Sequence, residues 1–265
     1  MNQYEFDFKD KHVLINGAAG HLGQKLAQSL VALGANLILL DKNEAGLSVL
    51  KNSLPKSKFN TAEFIVCDLE IDHERKKYFS EIRNKYSKLH GIVNCSAFVG
   101  DAELTGWKVD FEEQSIQTWR RVIEVNLTSI FEICQILAPL LKVTTNSSIV
   151  NVSSIYSEKG PKWEIYEGTN LGNPAAYSVS KGGLNQLTRW LATTLAPKVR
   201  VNAVAAGGVQ RNQPTIFLER YSAGVPLSRM ASEKDLVGPI LFLLSDMSSY
   251  ITGEVLHVDG GRGIW

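Results

Sequence analysis

His12-Val13-Leu14-Ile15-Asn16-Gly17-Ala18-Ala19-Gly20-His21-Leu22-Gly23 decides how this chain folds. His12–Asn16 reads as a short buried strand, and His21–Leu33 carries apolar residues at helical spacing. The glycines between them have separate uses. Gly17 permits a tight turn, Gly20 lets backbone approach a pyrophosphate, and Gly23 lets helix and strand pack closely. The new helix would then point the N–H groups of His21 and Leu22, and its positive dipole end, at the phosphates. The spacing is G-x-x-G-x-x-G, not G-x-G-x-x-G. A tight strand-to-helix turn without a ligand is the alternative; its place between strand and helix favours dinucleotide binding.

The same alternation continues along the chain. Strand-like runs at Asn36–Leu40, Ala62–Cys67, Gly91–Cys95, Ser148–Val152, Arg200–Val204 and Val255–Val258 bring the number expected to seven. Helical patterns lie between them, with a polar helix ending near Leu54, then Asp72–Tyr86, Glu112–Leu141, Ala175–Leu195 and Glu233–Leu244. Continuous apolar strands separated by helices predict a parallel sheet covered on both faces. Right-handed crossovers make it a doubly wound Rossmann sheet in an α/β protein. No linker, repeat or low-complexity stretch interrupts residues 1–265, so a single domain is expected. Two loops are long, Phe98–Phe111 and Ile155–Pro174; both follow strands at the end where open α/β sheets bind ligands.

Asp41 ends the second strand, 24 residues after Gly17. A carboxylate there accepts the adenosine-ribose hydroxyls and repels a 2′-phosphate, which favours NAD over NADP. Lys42 works against that preference, and Asp41 as a cap for the next helix is the plainer alternative. Asp68-Leu69, after the third strand, reads equally as an adenine contact or as a helix cap.

Tyr177 and Lys181 lie four apart on a predicted helix, on one face and about one turn from each other. A phenol with its ordinary pKa of about 10 is a poor base at neutral pH, and a neighbouring ammonium stabilises the phenolate. The pair suits alcohol–ketone interconversion. By itself such a spacing is more often an amphipathic surface pair; the nucleotide-binding turn gives it weight.

Composition narrows the remaining classes. A net charge of +1 gives no electrostatic case for nucleic acid or an anionic membrane. No apolar run spans a bilayer, and Met1–Lys11 is too polar for a signal peptide. Cys67, Cys95 and Cys134 lack CxxC spacing, so free thiols in a reducing cytoplasm are expected and no metal site is.

Together these residues resemble the short-chain dehydrogenase/reductase family over essentially the whole chain. Beyond Gly17, Gly20 and Gly23, Asn94-Cys95-Ser96-Ala97 stands where Asn-Asn-Ala-Gly is usual. Asn126, Ser154, Tyr177 and Lys181 match the catalytic tetrad, Ala206-Gly207-Gly208-Val209 stands for Pro-Gly-Gly-Val, and Pro226–Met230 and Val258–Gly261 match the C-terminal pattern. The resemblance implies that Tyr177 exchanges the hydroxyl proton and Ser154 hydrogen-bonds the substrate oxygen. Lys181 would hold the nicotinamide ribose and lower the Tyr177 pKa, and Asn126 would anchor a water. Asn94, Ser96, Ala97, Gly207 and the Val209 backbone would complete the cofactor site. It also implies a homodimer or homotetramer through Glu112–Leu141 and Ala175–Leu195.

Departures define what is particular here. Asn16 replaces the usual Thr, His21 the usual middle glycine, and Ala206 the usual Pro. Ser154 and Tyr177 are 23 residues apart, a longer separation than usual, so the extra residues should bulge out over the substrate. That insertion, at about 155–174, looks like a subgroup associated with flagellin modification and nonulosonic-acid precursors. Tyr156, Trp163 and Tyr166 are its candidate substrate contacts, and Lys159, Lys162 or Arg211 suit a phosphate. Packing of these aromatics onto the protein is the competing reading. The expected activity is NAD-dependent oxidation or reduction of a sugar or sugar phosphate. The alternatives are an NADPH-dependent 3-oxoacyl-carrier-protein reductase and a non-catalytic NAD sensor.

Overall fold

The computed structural model describes residues 6–55, 61–98 and 104–264. Seven strands form one all-parallel sheet in the order β3-β2-β1-β4-β5-β6-β7. They are β1 (His12–Asn16), β2 (Asn36–Asp41), β3 (Ala62–Val66), β4 (Gly91–Asn94), β5 (Ser147–Ser154), β6 (Val199–Ala206) and β7 (Val255–Val258). The chain leaves β1 towards β2 and β3, then returns to the other side of β1 with β4. This reversal opens a crevice at the carboxyl ends of β1 and β4, where such sheets bind ligands.

Alternate residues of each strand feed opposite cores, as the period of two requires. On one face Leu14, Ile38, Ile92, Ile149 and Val201 pack with Phe79 of α3 (Asp72–Lys85), Ile133 and Leu137 of α5 (Ser129–Lys142), and Leu184 of α6 (Ala175–Leu195). On the other face Val13, Leu39, Val93, Val150 and Val204 pack with Leu26 and Leu30 of α1 (His21–Ala32), Leu47 of α2 (Glu44–Ser53) and Ile240 of α8 (Glu233–Leu244). Burial on both sides explains why the strands read as continuous apolar runs.

Three expectations change. The stretch Glu112–Leu141 is not one regular helix: a 3-10 turn (Phe111–Glu113) precedes α4 (Ile116–Ile123), and a π-helical turn (Glu124–Thr128) joins α4 to α5. A π turn is invisible to a 3.6-residue periodicity. This continuous Ile116–Lys142 helix also meets the length and composition of a bilayer span, contrary to the sequence reading. Its apolar residues Ile130, Ile133, Leu137 and Leu141 are spent on the sheet, as in the core helix of a globular fold. Finally, α7 (Thr215–Ala223) was not expected, because only Phe217 and Tyr221 are buried along it.

The segment Ile155–Pro174 is ordered by two 3-10 turns, Ile155–Ser157 and Trp163–Ile165. Ile165 is buried with Phe217 and Tyr221, and Arg220 Nη1 donates to the carbonyls of Glu167 (2.6 Å) and Glu164 (3.2 Å). Loop and α7 are thereby one body. The other long loop, Phe98–Phe111, falls partly outside the described residues.

Candidate active site

The glycine turn has the tolerances expected of it. Gly17 sits at φ +70°, and a Cβ there would lie 2.6 Å from the Ser96 nitrogen. At Gly23 a Cβ would lie 2.2 Å from the Gly17 carbonyl oxygen. Gly20 differs: its only near neighbour would be the Gly17 oxygen at 3.2 Å. The protein's own packing therefore constrains Gly20 less than Gly17 or Gly23, and the space beside it is where a pyrophosphate would approach. No side chain caps α1, whose first turn carries exposed His21 and half-buried Leu22, so its N–H groups face that space. These residues fit a dinucleotide.

Asp41 is not the cap of α2; Asn43 is, accepting from the Gly46 N–H at 2.9 Å. Instead Asp41 accepts from the Ala19 N–H within the glycine turn and from the Asn43 N–H, both at 2.9 Å. Each carboxylate oxygen has a further lone pair for a ribose hydroxyl. Lys42 leans away, 3.7 Å from Asp68, so the cation that argued for a 2′-phosphate is drawn to another carboxylate. Asp68 also accepts from the Glu70 N–H at 3.0 Å, and Leu69 beside it is buried.

Asn16, Asn94 and Asn151 stand level on β1, β4 and β5. Asn16 Nδ2 donates to Asn94 Oδ1 (2.5 Å), Asn94 Nδ2 to Asn151 Oδ1 (2.7 Å), and Asn151 Nδ2 to Thr188 Oγ1 (2.8 Å). Asn16 Oδ1 accepts from both the N–H and hydroxyl of Ser96. All three asparagines are fully buried, so the amide row must be satisfied throughout, and it holds the Ser96-Ala97 loop over Gly17. Sequence reasoning noted Asn16 and Asn94 but missed Asn151 and Thr188. The signal was an Asn in register within each of three apolar strands.

Ser154 closes β5, Tyr177 lies in the first turn of α6, and Lys181 lies one turn on. The Ser154 hydroxyl stands close enough to the Tyr177 phenol to favour its ionised form, despite their separation in sequence. Ser154 Oγ also accepts from the Tyr156 N–H at 3.2 Å. Lys181 Nζ is buried, donates to the Val152 carbonyl at 2.8 Å and lies 5.9 Å from the centre of the Tyr177 ring. Burial lowers the Lys181 pKa to about 8. The expected downward shift of Tyr177 is not what the site shows. Burial raises the phenol above its ordinary value, and the nearby Ser154 hydroxyl offsets only part of that.

Asn126 lies on the π turn, and its side chain is already engaged. Its Oδ1 accepts from the Phe98 N–H (2.5 Å) and its Nδ2 donates to Ser180 Oγ (3.0 Å). The amide thus ties the loop after β4 to α6. Val209, beyond β6, accepts at its carbonyl from Gln213 Nε2 at 3.0 Å. The Gly207 N–H goes to Val258, and a Cβ at Gly207 would meet Asp259 Cα at 2.8 Å.

The three aromatic candidates separate. Tyr156 and Tyr166 join hydroxyl to hydroxyl at 2.6 Å. Trp163 is 59% exposed and only flanks Tyr166, at 6.0 Å between ring centres. Arg211 is occupied by Glu233 at 2.7 Å, which removes it as a free phosphate ligand. Tyr221 and Arg262, which sequence reasoning did not place here, stack against each other behind Tyr166 and Phe217. Nothing in their spacing announces this.

A family model described as enoyl-(acyl carrier protein) reductase matches residues 17–262. Post-translational flagellin modification protein A of Campylobacter coli is 33% identical over 97% of this chain and 99% of its own. The 3-oxoacyl-[acyl-carrier-protein] reductase FabG of Aquifex aeolicus is 30% identical over 97% and 99%. A short-chain dehydrogenase from Leptospira borgpetersenii, solved with bound NAD+, superposes with a TM-score of 0.84 at 31% identity, covering 99% of this chain and 97% of that one.

Proposed function

The chain belongs to the short-chain dehydrogenase/reductase family of nicotinamide-dependent oxidoreductases, and from that premise we propose that it interconverts a secondary alcohol and a ketone on a sugar or sugar phosphate, with NAD. The approach of the Ser154 hydroxyl to the Tyr177 phenol, with Lys181 one turn away, carries this reading.

The dinucleotide, when bound, supplies or accepts the hydride. The protein's residues supply the rest. Ser154 Oγ, oriented by the Tyr156 N–H, donates to the substrate oxygen as negative charge develops there. Tyr177, held protonated by its burial, gives its proton to that oxygen in reduction. Lys181 spends one proton on Val152 and has two for ribose hydroxyls; its charge is the countercharge for a phenolate. Asn126 holds the Phe98 loop against α6 and so fixes the wall of the site.

Two observations favour NAD. Asp41 faces the ribose position with lone pairs, and Lys42 is turned to Asp68. The sugar assignment rests on the hydroxyl-lined loop containing Tyr156 and Tyr166 and on likeness to the flagellin modification protein. The unpaired thiols of Cys67, Cys95 and Cys134 fit a cytoplasmic enzyme. Exposed Phe131 on α5, and Val179 and Trp190 on α6, fit a dimer or tetramer formed through these helices.

Purified protein is to be screened with NAD and NADP against hexose and aminosugar phosphates. The wild type should turn over at least one with NAD, and Tyr177→Phe should bind NADH yet lose turnover. Retained turnover contradicts the assignment. A second reading, a 3-oxoacyl-carrier-protein reductase using NADPH, is favoured by the FabG relatives. A preference for NADPH with an acyl-thioester ketone selects it.

A further inference from the structure

We propose that Arg262 is the seat for an oxyanion carried by the substrate, a contact that would set which sugars this site accepts. The proposal rests on the oxidoreductase reading above and names the substrate class.

Arg262 begins a 3-10 turn after β7 and is only 8% exposed. Its guanidinium lies 3.9 Å from the centre of the Tyr221 ring, and its Nη1 donates to the Tyr221 carbonyl at 3.0 Å. No carboxylate pairs with it among the described residues. Asp259, its nearest neighbour in sequence able to do so, commits one oxygen to the Gly261 N–H (2.9 Å) and the other to the Gly263 N–H (2.8 Å). A largely buried cation without a carboxylate is costly, and one tyrosine face and one carbonyl at the end of α7 return only part of that cost.

The other buried arginines show what a structural role looks like here. Arg75 takes the carboxylates of Glu124 (2.5 Å) and Glu132 (2.6 Å). Arg200 lacks a carboxylate but has three acceptors at the end of α8: the carbonyls of Leu243 and Ser245 and the hydroxyl of Ser248. A helix C-terminus carries negative charge, which answers the cation. Arg262 has no carboxylate, and at the end of α7 it reaches one carbonyl where Arg200 has three acceptors. One acceptor is engaged, and most of its fork of donors awaits another.

Its position connects it to the reacting groups. Tyr221, under the guanidinium, accepts the Gly208 N–H at its hydroxyl and packs on Phe217. Phe217 packs on Tyr166, whose hydroxyl meets that of Tyr156, and Tyr156 lies two residues from Ser154. One wall therefore runs from the catalytic hydroxyls to Arg262. The charge of Arg262 reaches the phenols of both Tyr156 and Tyr166, opposing the upward push of burial. Two hydroxyls bonded to each other use one proton between them, so the second is available to an incoming acceptor. At the rim, the Lys159 side chain lies beside Gly263, 3.9 Å from where a Cβ would stand, and adds a second, exposed cation. A planar fork, a phenolic proton and a rim ammonium together suit a carboxylate or a phosphate monoester.

Titration calorimetry on the full chain, with the dinucleotide site saturated with NAD, tests this without turnover. The probes are inorganic phosphate, glucuronate and glucose. At least one of the two anions should bind, and glucose should bind more weakly. Binding of phosphate alone identifies a phosphate ester as the source of the oxyanion; binding of glucuronate alone identifies a sugar acid. Arg262→Gln should weaken the anion by about 30-fold, as loss of charge-assisted hydrogen bonds implies. Arg262→Lys, which keeps the charge but not the fork, should fall between and provides a second variant if the first does not fold. The proposal is overturned if neither anion binds the wild type, or if a folded variant binds as tightly as the wild type does. Anion binding without hydride transfer to any sugar would sink the oxidoreductase reading and leave this one standing. Turnover of neutral sugars with no anion effect would do the reverse.

Discussion

Lys181→Met should stabilise the protein that it inactivates. Burial lowers the Lys181 ammonium from 10.5 to about 8. At 1.36 kcal/mol per pH unit, that gap is roughly 3 kcal/mol of desolvation cost borne by the folded state. The sign follows from proton counting. Below pH 8 folded and unfolded chains both hold this proton, so the folded chain carries the full cost. Between pH 8 and 10.5 the unfolded chain holds a proton that the folded one has released, so stability rises with pH. Methionine removes the charge at similar volume but leaves the Val152 carbonyl without its donor, a loss of about 1 kcal/mol. The net gain at pH 7 is therefore about 2 kcal/mol, which for a chain of this size is a melting-temperature rise of roughly 4–8 °C. Urea unfolding of cofactor-free wild type and variant from pH 7 to 10.5 reads it directly. The wild type should close the gap as pH rises, because all other groups are shared. A variant less stable than wild type at pH 7, with the two curves parallel to pH 10.5, would refute the reasoning.

Other perturbations isolate other parts of the site. Asp41→Asn removes the charge that a 2′-phosphate meets, so the NADP-to-NAD ratio of kcat/KM should rise by about tenfold, on the order of one exposed charge contact in a partly desolvated site. Gly23→Ala places a methyl 2.2 Å from the Gly17 oxygen; fluorescence titration should show NAD bound at least tenfold more weakly, on the order expected when phosphate-binding backbone is displaced. Asn94→Leu strands the buried amides of Asn16 and Asn151, and urea melts should show a loss of about 2–4 kcal/mol.

Much of this was legible in the sequence because each signal was local. The strand, glycine turn and helix over His12–Leu33 carry their geometry in adjacent residues, and the seven apolar runs place the sheet. Tyr177 and Lys181 are one turn apart, so their pairing needed no tertiary knowledge. What was not legible depends on distance in sequence. The approach of Ser154 to Tyr177 spans an insertion, and it arises because the end of β5 and the start of α6 meet at the same crevice. The Asn16–Asn94–Asn151 row needs the strand order, which joins β1 to β4 and β4 to β5. The π turn under Asn126 breaks the periodicity by which helices are recognised. The balance of burial against charge at Tyr177 and the stacking of Arg262 on Tyr221 belong to packing alone.

A crystal structure with NAD+ bound tests most directly whether this crevice is a redox site. Lys181 Nζ is expected within about 3.2 Å of a nicotinamide-ribose hydroxyl, and the Tyr177 and Ser154 hydroxyls should face the same side of the nicotinamide ring with room for a carbonyl between. NAD+ bound elsewhere, or a nicotinamide ring directed away from the Tyr177 hydroxyl, would contradict it.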